Sequence, residues 1–157
     1  MKPRIGFGFD VHKLVKKRDF YLGGIKIEYY KGALGHSDAD VLIHSICDAL
    51  LGAANLRDIG FHFPDSSAEY KNIDSRILLK KVVKLLKEKK YKIGNIDSTI
   101  CLQNPKIGEY IPQIKKVLLE IIEIPEDDIS IKATTTEKLG YIGRGEGVSA
   151  YSVVLIQ

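Results

Sequence analysis

Asp10-Val11-His12 closes the stretch GFGFDVH and sets an acid and an imidazole two residues apart. Residues i and i+2 of an extended strand project to one side, so the pair offers two ligands to a metal. A third is available at His44, which lies with Asp40 and Asp48 at i, i+4 and i+8 spacing on one side of a predicted helix. Asp10, His12 and His44 make a set of two nitrogens and one oxygen with a coordination position free. That is the composition of a catalytic rather than a structural zinc site. Asp40 or Asp48 is then expected to orient His44 through its second ring nitrogen. A plainer reading stands beside this one: Ser37, Asp40, His44 and Asp48 form a solvated strip opposite an apolar face of Leu42, Ile43, Ile46, Ala49 and Leu50.

Other stretches suit phosphate. Thr134-Thr135-Thr136 ends a strand in three hydroxyls, followed by Glu137, which could hold a hard cation such as Mg²⁺. Threonine also favours strands for its own sake. Gly140 to Gly147 is a glycine-rich turn carrying Tyr141 and Arg144, the latter suited to a phosphate fork. It matches neither G-x-x-x-x-G-K-[ST] nor G-x-G-x-x-G, so no standard nucleotide loop is assigned. Asp58-Ile59-Gly60 and Phe63-Pro64-Asp65 fall in a long middle loop, where binding segments concentrate and where aspartates also simply turn the chain. Leu102 to Lys106 joins a strand to a helix, where free backbone amides can meet a base edge or a phosphate.

The elements that must position these groups read as follows. Arg4–His12 is a first strand and Phe20–Ile27 a second extended stretch, interrupted by Gly23-Gly24. Lys31–His36 is a loop. A helix capped by Ser37 or Asp38 runs to Ala54. Asn55–Asn72 is loop, Asp74 caps a helix over Ser75–Lys89, and Lys92–Gln103 alternates as a strand. A third helix begins after Pro105, and Ile129–Ala133 and Ser149–Ile156 are the last strands. The order β-β-α-α-β-α-β-β predicts a two-layer α/β (α+β) sandwich, a mixed sheet with helices on one face, as one domain over residues 1–157.

The bulk composition bounds the rest. The chain has 157 residues, 45% hydrophobic and 28% charged, and a net charge of +4 without a dense basic tract. This disfavours nucleic acid as the partner and suits a small anionic substrate. Cys47 and Cys101 sit in apolar runs and read as reduced core thiols. No run approaches the roughly 20 apolar residues of a membrane span, and Met1-Lys2-Pro3-Arg4 leads straight into a strand, so no secretory signal or membrane is expected.

The stretches GFGFDVH, LGHSDADVLIH, DALLGAANLRDIG, FPD, DSRILL, QNPK and KATTTEKLGYIGRGEG occur in one order from Arg4 to Gly147. Together they resemble the family of 2-C-methyl-D-erythritol 2,4-cyclodiphosphate synthases of the non-mevalonate isoprenoid pathway. The resemblance implies a Zn²⁺ on Asp10, His12 and His44, one per subunit, and a second divalent cation, Mg²⁺ or Mn²⁺, on Glu137. It implies that His36 and Thr135 stabilise the transition state, with Ser37 beside the former. It places the methylerythritol moiety on Asp58, Ile59, Gly60, Phe63, Pro64 and Asp65. The cytosine falls to the backbone of Leu102, Gln103, Asn104, Pro105, Lys106, Ile107 and Gly108. The diphosphate falls to Thr134, Thr135, Thr136 and Glu137, and Tyr141 and Arg144 match further substrate or subunit-axis positions. It also implies a homotrimer with active sites between subunits, in a bacterial cytoplasm, or in a plastid or apicoplast of a eukaryote. Two departures stand out: Ser66-Ser67 follow Phe63-Pro64-Asp65 where relatives often carry a second acid, and Tyr141 stands where phenylalanine is frequent. A zinc phosphohydrolase and a non-enzymatic trimeric scaffold remain the competing readings.

Overall fold

A computed structural model describes residues 2–157. Strands β1 (Arg4–Lys16), β4 (Lys31–Leu34), β5 (Ile93–Cys101), β6 (Ile129–Thr134) and β7 (Gly147–Ile156) form one sheet in the order β4-β1-β7-β5-β6. Among the described residues only β5 and β6 pair in parallel, so the sheet is mixed, as expected. β2 (Phe20–Leu22) and β3 (Ile25–Ile27) make a separate hairpin rather than one extended stretch. Gly23 and Gly24 turn it with φ of 60° and 78°, a backbone that glycine adopts at little cost.

Helices α1 (Val41–Ala53), α3 (Ser75–Glu88) and α4 (Ile111–Ile122) cover one face; α2 (Ile59–His62) and α5 (Gly140–Gly143) are single turns. β1 pairs with β7 from Arg4↔Ile156 to Lys13↔Gly147, and α1 packs across both. Gly6 and Gly8 on β1 make that contact possible: a Cβ on either would lie within 2 Å of the carbonyl oxygens of Ala49 and Ser45. Ser45 Oγ on α1 bonds Ser152 Oγ on β7, which bonds Ser98 Oγ on β5, a buried hydroxyl chain through an otherwise apolar interface. The opposite face of β1 and β7 is bare and apolar, with Ile5 73% and Phe7 63% exposed, followed by Phe9, Val11, Tyr151 and Val153.

Three expectations change. Lys31–Leu34 is a strand, because it completes the antiparallel edge beside Lys13–Lys16. The first helix begins at Val41 and its cap is Asp40, not Ser37 or Asp38, since Asp40 is the carboxylate that accepts Ile43 N–H. Cys47 is buried, but Cys101 is half-buried, because it alternates with core-facing Ile100 on β5.

Candidate active site around Asp10, His12 and His44

The alternation of β1 puts Asp10 and His12 on the helix side of the sheet, in line with Gly6 and Gly8. α1 runs over that line, so Ala49 meets Gly6, Ser45 meets Gly8, and His44 comes to Asp10. Asp10 Oδ2 stands 2.9 Å from His44 Nδ1 and 3.0 Å from His12 Nε2, and the two ring nitrogens are 3.4 Å apart. His44 is buried; Asp10 and His12 are half-buried. His12 Nδ1 lies 3.0 Å from the carbonyl oxygen of Leu34. A carbonyl only accepts, so Nδ1 carries the hydrogen and the Nε2 lone pair turns into the cluster.

Two nitrogens and an oxygen within 4.8 Å of one another, open on one side, are chemically suited to a metal ion. It is the one group of three such ligands among the described residues. Burial alone would raise the Asp10 pKa, but hydrogen bonds and charge from His12 and His44 bring it down to about 2. Burial opposes charge on His44, yet the hydrogen bond and charge of Asp10, with Asp40 and Asp38 behind it, raise its pKa above 6.5.

The polar strip on α1 is not a solvated face: Asp40 is wholly buried and Ser37 nearly so. Nor do Asp40 and Asp48 orient His44. Asp40 is spent on Gly23 N–H at 2.9 Å, Gly24 N–H at 2.7 Å and Ile43 N–H at 3.1 Å, fastening the hairpin turn to the start of α1. Asp48 accepts Ile59 N–H at 2.8 Å and so fixes α2. Nε2 of His44 instead meets Ser75 Oγ at 2.9 Å and Ser37 Oγ at 3.2 Å. Sequence reasoning missed Ser75, which reads as an ordinary first residue of a capped helix.

Around this centre, His36 Nε2–H donates to Ser67 C=O at 3.2 Å, and Asn72 N–H donates to His36 C=O at 2.8 Å. The segment that follows Phe63, Pro64 and Asp65 is thereby held against His36. Asp58 caps α2 by accepting Phe61 N–H at 2.9 Å, with Gly60 inside that turn. Phe63 is buried, whereas Phe61 is 56% exposed with the Arg57 guanidinium 4.3 Å over its ring.

A second group of predicted residues gathers elsewhere. Leu102 to Gly108, with Glu109, Ala133, Thr134 and Thr135, line a cleft of about 790 Å³ at the end of β5 and β6. The following turn bends through Glu137 and Lys138 at φ of 53° and 64°; Thr135 Oγ1 accepts Glu137 N–H at 3.2 Å, and Gln103 Oε1 accepts Lys138 N–H at 3.1 Å. Thr136 Oγ1 donates to Leu139 C=O at 2.6 Å. Tyr141 lines a different hollow, beside Val11 and His12. Arg144 is paired with Glu146 at 2.9 Å rather than free. β5 and β6 lie two and three strand spacings from β1 in the sheet, roughly 10 and 14 Å, so the Asp10–His12–His44 cluster and the cleft are separate features of the chain.

Comparison with known proteins gives a consistent result. The chain matches the YgbB family over residues 3–157. It is 66% identical over 156 residues to the 2-C-methyl-D-erythritol 2,4-cyclodiphosphate synthase of Bacteroides fragilis, covering 99% of this chain and 98% of that one. Its fold superposes on the bifunctional IspDF of Campylobacter jejuni with a TM-score of 0.94 and 40% identity, covering 99% of this chain and 42% of that longer one. It superposes on the Plasmodium falciparum IspF CDP complex with a TM-score of 0.86 and 37% identity, covering 98% and 95%. The chain therefore belongs to the YgbB family, that of the 2-C-methyl-D-erythritol 2,4-cyclodiphosphate synthases.

Proposed function

We propose that this chain, as one synthase domain over residues 1–157, converts 4-diphosphocytidyl-2-C-methyl-D-erythritol 2-phosphate to 2-C-methyl-D-erythritol 2,4-cyclodiphosphate and CMP, a phosphorus–oxygen lyase reaction. The observation that carries the reading is the convergence of Asp10, His12 and His44 into a three-ligand cluster in a chain of this family. In the reaction a 2-phosphate oxygen forms a bond to the β-phosphorus. The bond from that phosphorus to the bridging oxygen breaks, and the electron pair leaves with CMP. The nucleophile is already anionic and no water enters, so the protein needs no nucleophilic side chain or dedicated base. It must align two phosphates and offset their charge.

A zinc ion on Asp10, His12 and His44, and a magnesium or manganese ion on Glu137, would supply Lewis-acid charge to the diphosphate. His36 and Thr135 steady the equatorial oxygens, with Ser37 beside them. The Asp58-Ile59-Gly60 and Phe63-Pro64-Asp65 segments take the methylerythritol hydroxyls and methyl. The 102–108 cleft takes the cytosine, and Thr134 to Glu137 the diphosphate; the solved CDP complex of the Plasmodium falciparum relative supports a cytidine diphosphate site.

The bare apolar face of β1 and β7 supports a homotrimer, in which the metal cluster of one copy faces the cleft of the next. A cytoplasmic protein acting in isoprenoid precursor synthesis fits the bacterial relatives, and among the described residues no helix is long and apolar enough to cross a membrane. The test is to incubate pure protein with the cytidyl substrate and zinc plus magnesium, and to follow ³¹P spectra. CMP with a cyclic diphosphate is the expected result. A linear phosphate would instead identify a hydrolase, and no turnover a binding domain.

A further inference from the structure

His44 contributes Nδ1 to the cluster, and what holds the ring is on its other side. Nε2 has two hydroxyls within reach: Ser75 Oγ at 2.9 Å and Ser37 Oγ at 3.2 Å. Ser75 is fully buried, and its hydroxyl is not free to choose a direction. Ser75 Oγ is in a short hydrogen bond with Asp38 Oδ1, and Ser75 N–H donates to Asp38 Oδ2 at 2.9 Å. A carboxylate accepts both, so the single hydrogen of the Ser75 hydroxyl goes to Asp38 and its lone pairs face the imidazole. Two lone pairs at 2.9 Å repel; only an N–H on His44 makes that contact attractive. Ser37 Oγ does not reverse the choice, since it is farther away and already accepts Ala39 N–H at 3.2 Å.

We propose that Ser75, oriented by Asp38, is a positioning residue for the metal: its oxygen accepts the Nε2–H of His44 and so presents the Nδ1 lone pair to the position shared with Asp10 and His12. This rests on the reading that those three residues hold a metal. The arrangement mirrors His12, whose Nδ1–H donates to Leu34 C=O and whose Nε2 faces the same point. The chain of contacts also carries beyond the imidazole. Ser75 is the first residue of α3, and Asp38 N–H donates to Ile73 C=O at 3.2 Å. Asp38 thus ties the metal ligand to the start of α3 through its carboxylate, and to the segment that follows Phe63-Pro64-Asp65 through its backbone N–H.

The full-length protein labelled with ¹⁵N-histidine and loaded with ¹¹³Cd tests the geometry directly. The expected spectrum has a one-bond cadmium coupling to Nδ1 of His44 and a slowly exchanging proton on its Nε2. Coupling to Nε2 overturns the proposal. Zinc affinity, measured by competition with a chromophoric chelator, is expected to fall about 10–100-fold in Ser75→Ala, with the Nε2 proton exchanging faster. Asp38→Asn, which leaves the serine in place, is expected to change both readouts in the same direction. Circular dichroism of the metal-free variants checks the fold, and the wild-type coupling decides the matter if Ser75→Ala does not fold. Unchanged zinc affinity in folded Ser75→Ala overturns the proposal. None of these readouts uses the cytidyl substrate: a protein that binds metal this way and forms no cyclic product sinks the proposed reaction alone.

Discussion

Asp10 and His44, 34 residues apart in the chain, meet at 2.9 Å between a carboxylate oxygen and Nδ1. In the metal-free protein this contact shifts the pKa values of its two halves in opposite directions, lowering Asp10 and raising His44, and it sets a pH window. Asp10 falls from 3.8 to about 2, so its contribution of about 2 kcal/mol is present above pH 3.8 and is lost as pH drops toward 2. His44 is raised above 6.5, so its contribution is complete below 6.5 and disappears as pH rises through the raised value. With chelator present, the pair is expected to stabilise the fold most between about pH 4 and 6.5. Zinc should reverse the upper limb, because a metal on Nδ1 displaces the proton. Thermal midpoints from pH 3 to 9, with and without chelator, check this. A metal-free midpoint that does not fall above neutrality in wild type relative to Asp10→Asn would remove the ion pair from the account.

The closeness of β1 to α1 makes a second prediction, with an internal control. Gly8→Ala would drive a Cβ to 1.9 Å from the Ser45 carbonyl oxygen, a backbone atom that cannot swing away. The strand must separate from α1, and Asp10 and His12 move with it. A loss of about 3 kcal/mol is expected, with weaker zinc binding. Gly52→Ala lies on the same helix with nothing within 4 Å of the new methyl. It should gain about 0.5–1 kcal/mol, because alanine is the better helix former. Chemical denaturation of the two variants would show opposite shifts. Equal shifts would mean the β1–α1 approach is looser than described.

What could be read from the chain, and what could not, divides along the range of the forces involved. Asp10, His12 and His44 were legible because strand and helix periods are local and fix which side a residue takes. Asp74 was legible as a cap because nothing nearby competes with it. Asp40 was not, with Ser37 and Asp38 as rival caps just ahead. It wins because the Gly23-Gly24 turn, 16 residues upstream, needs the same carboxylate. Lys31–Leu34 was read as loop because four residues carry no period; its strand character comes from β1. Ser75 was invisible for a related reason. Its partner His44 is 31 residues away, and a serine at a helix start is unremarkable in sequence.

Asp40 itself supports a third prediction. Its carboxylate holds three backbone N–H groups at 2.7–3.1 Å in a site without water access, and burial together with Asp38 raises its pKa. Asp40→Ala leaves those donors without acceptors and releases both the hairpin and the helix end, at a cost of about 3 kcal/mol. Asp40→Asn keeps one oxygen but turns an amide N–H₂ toward a donor, so it should recover only part of the loss. Hydrogen exchange at Gly23, Gly24 and Ile43 is the specific readout. Protection that survives in Asp40→Ala would show that other groups hold this corner.

The separation of the Asp10–His12–His44 cluster from the cleft at the end of β5 and β6 makes the assembly itself testable through activity. If each active site takes Asp10, His12 and His44 from one copy and Thr134, Thr135 and the 102–108 cleft from the next, the interface is heterologous and closes as a ring. Asp10→Asn disables one half of every site and Thr135→Val the other half, so each variant alone should be inactive. Co-folded at equal amounts, most trimers contain both kinds of chain, and each mixed trimer has one junction where two intact halves meet. Random assembly then restores about a quarter of wild-type turnover. Phe7→Asp, placed on the bare apolar face, should abolish this recovery by blocking assembly, while a Phe7→Asp chain still binds zinc. Sites contained within single chains would give no recovery at any mixing ratio, because no junction would then combine an intact metal cluster with an intact cleft.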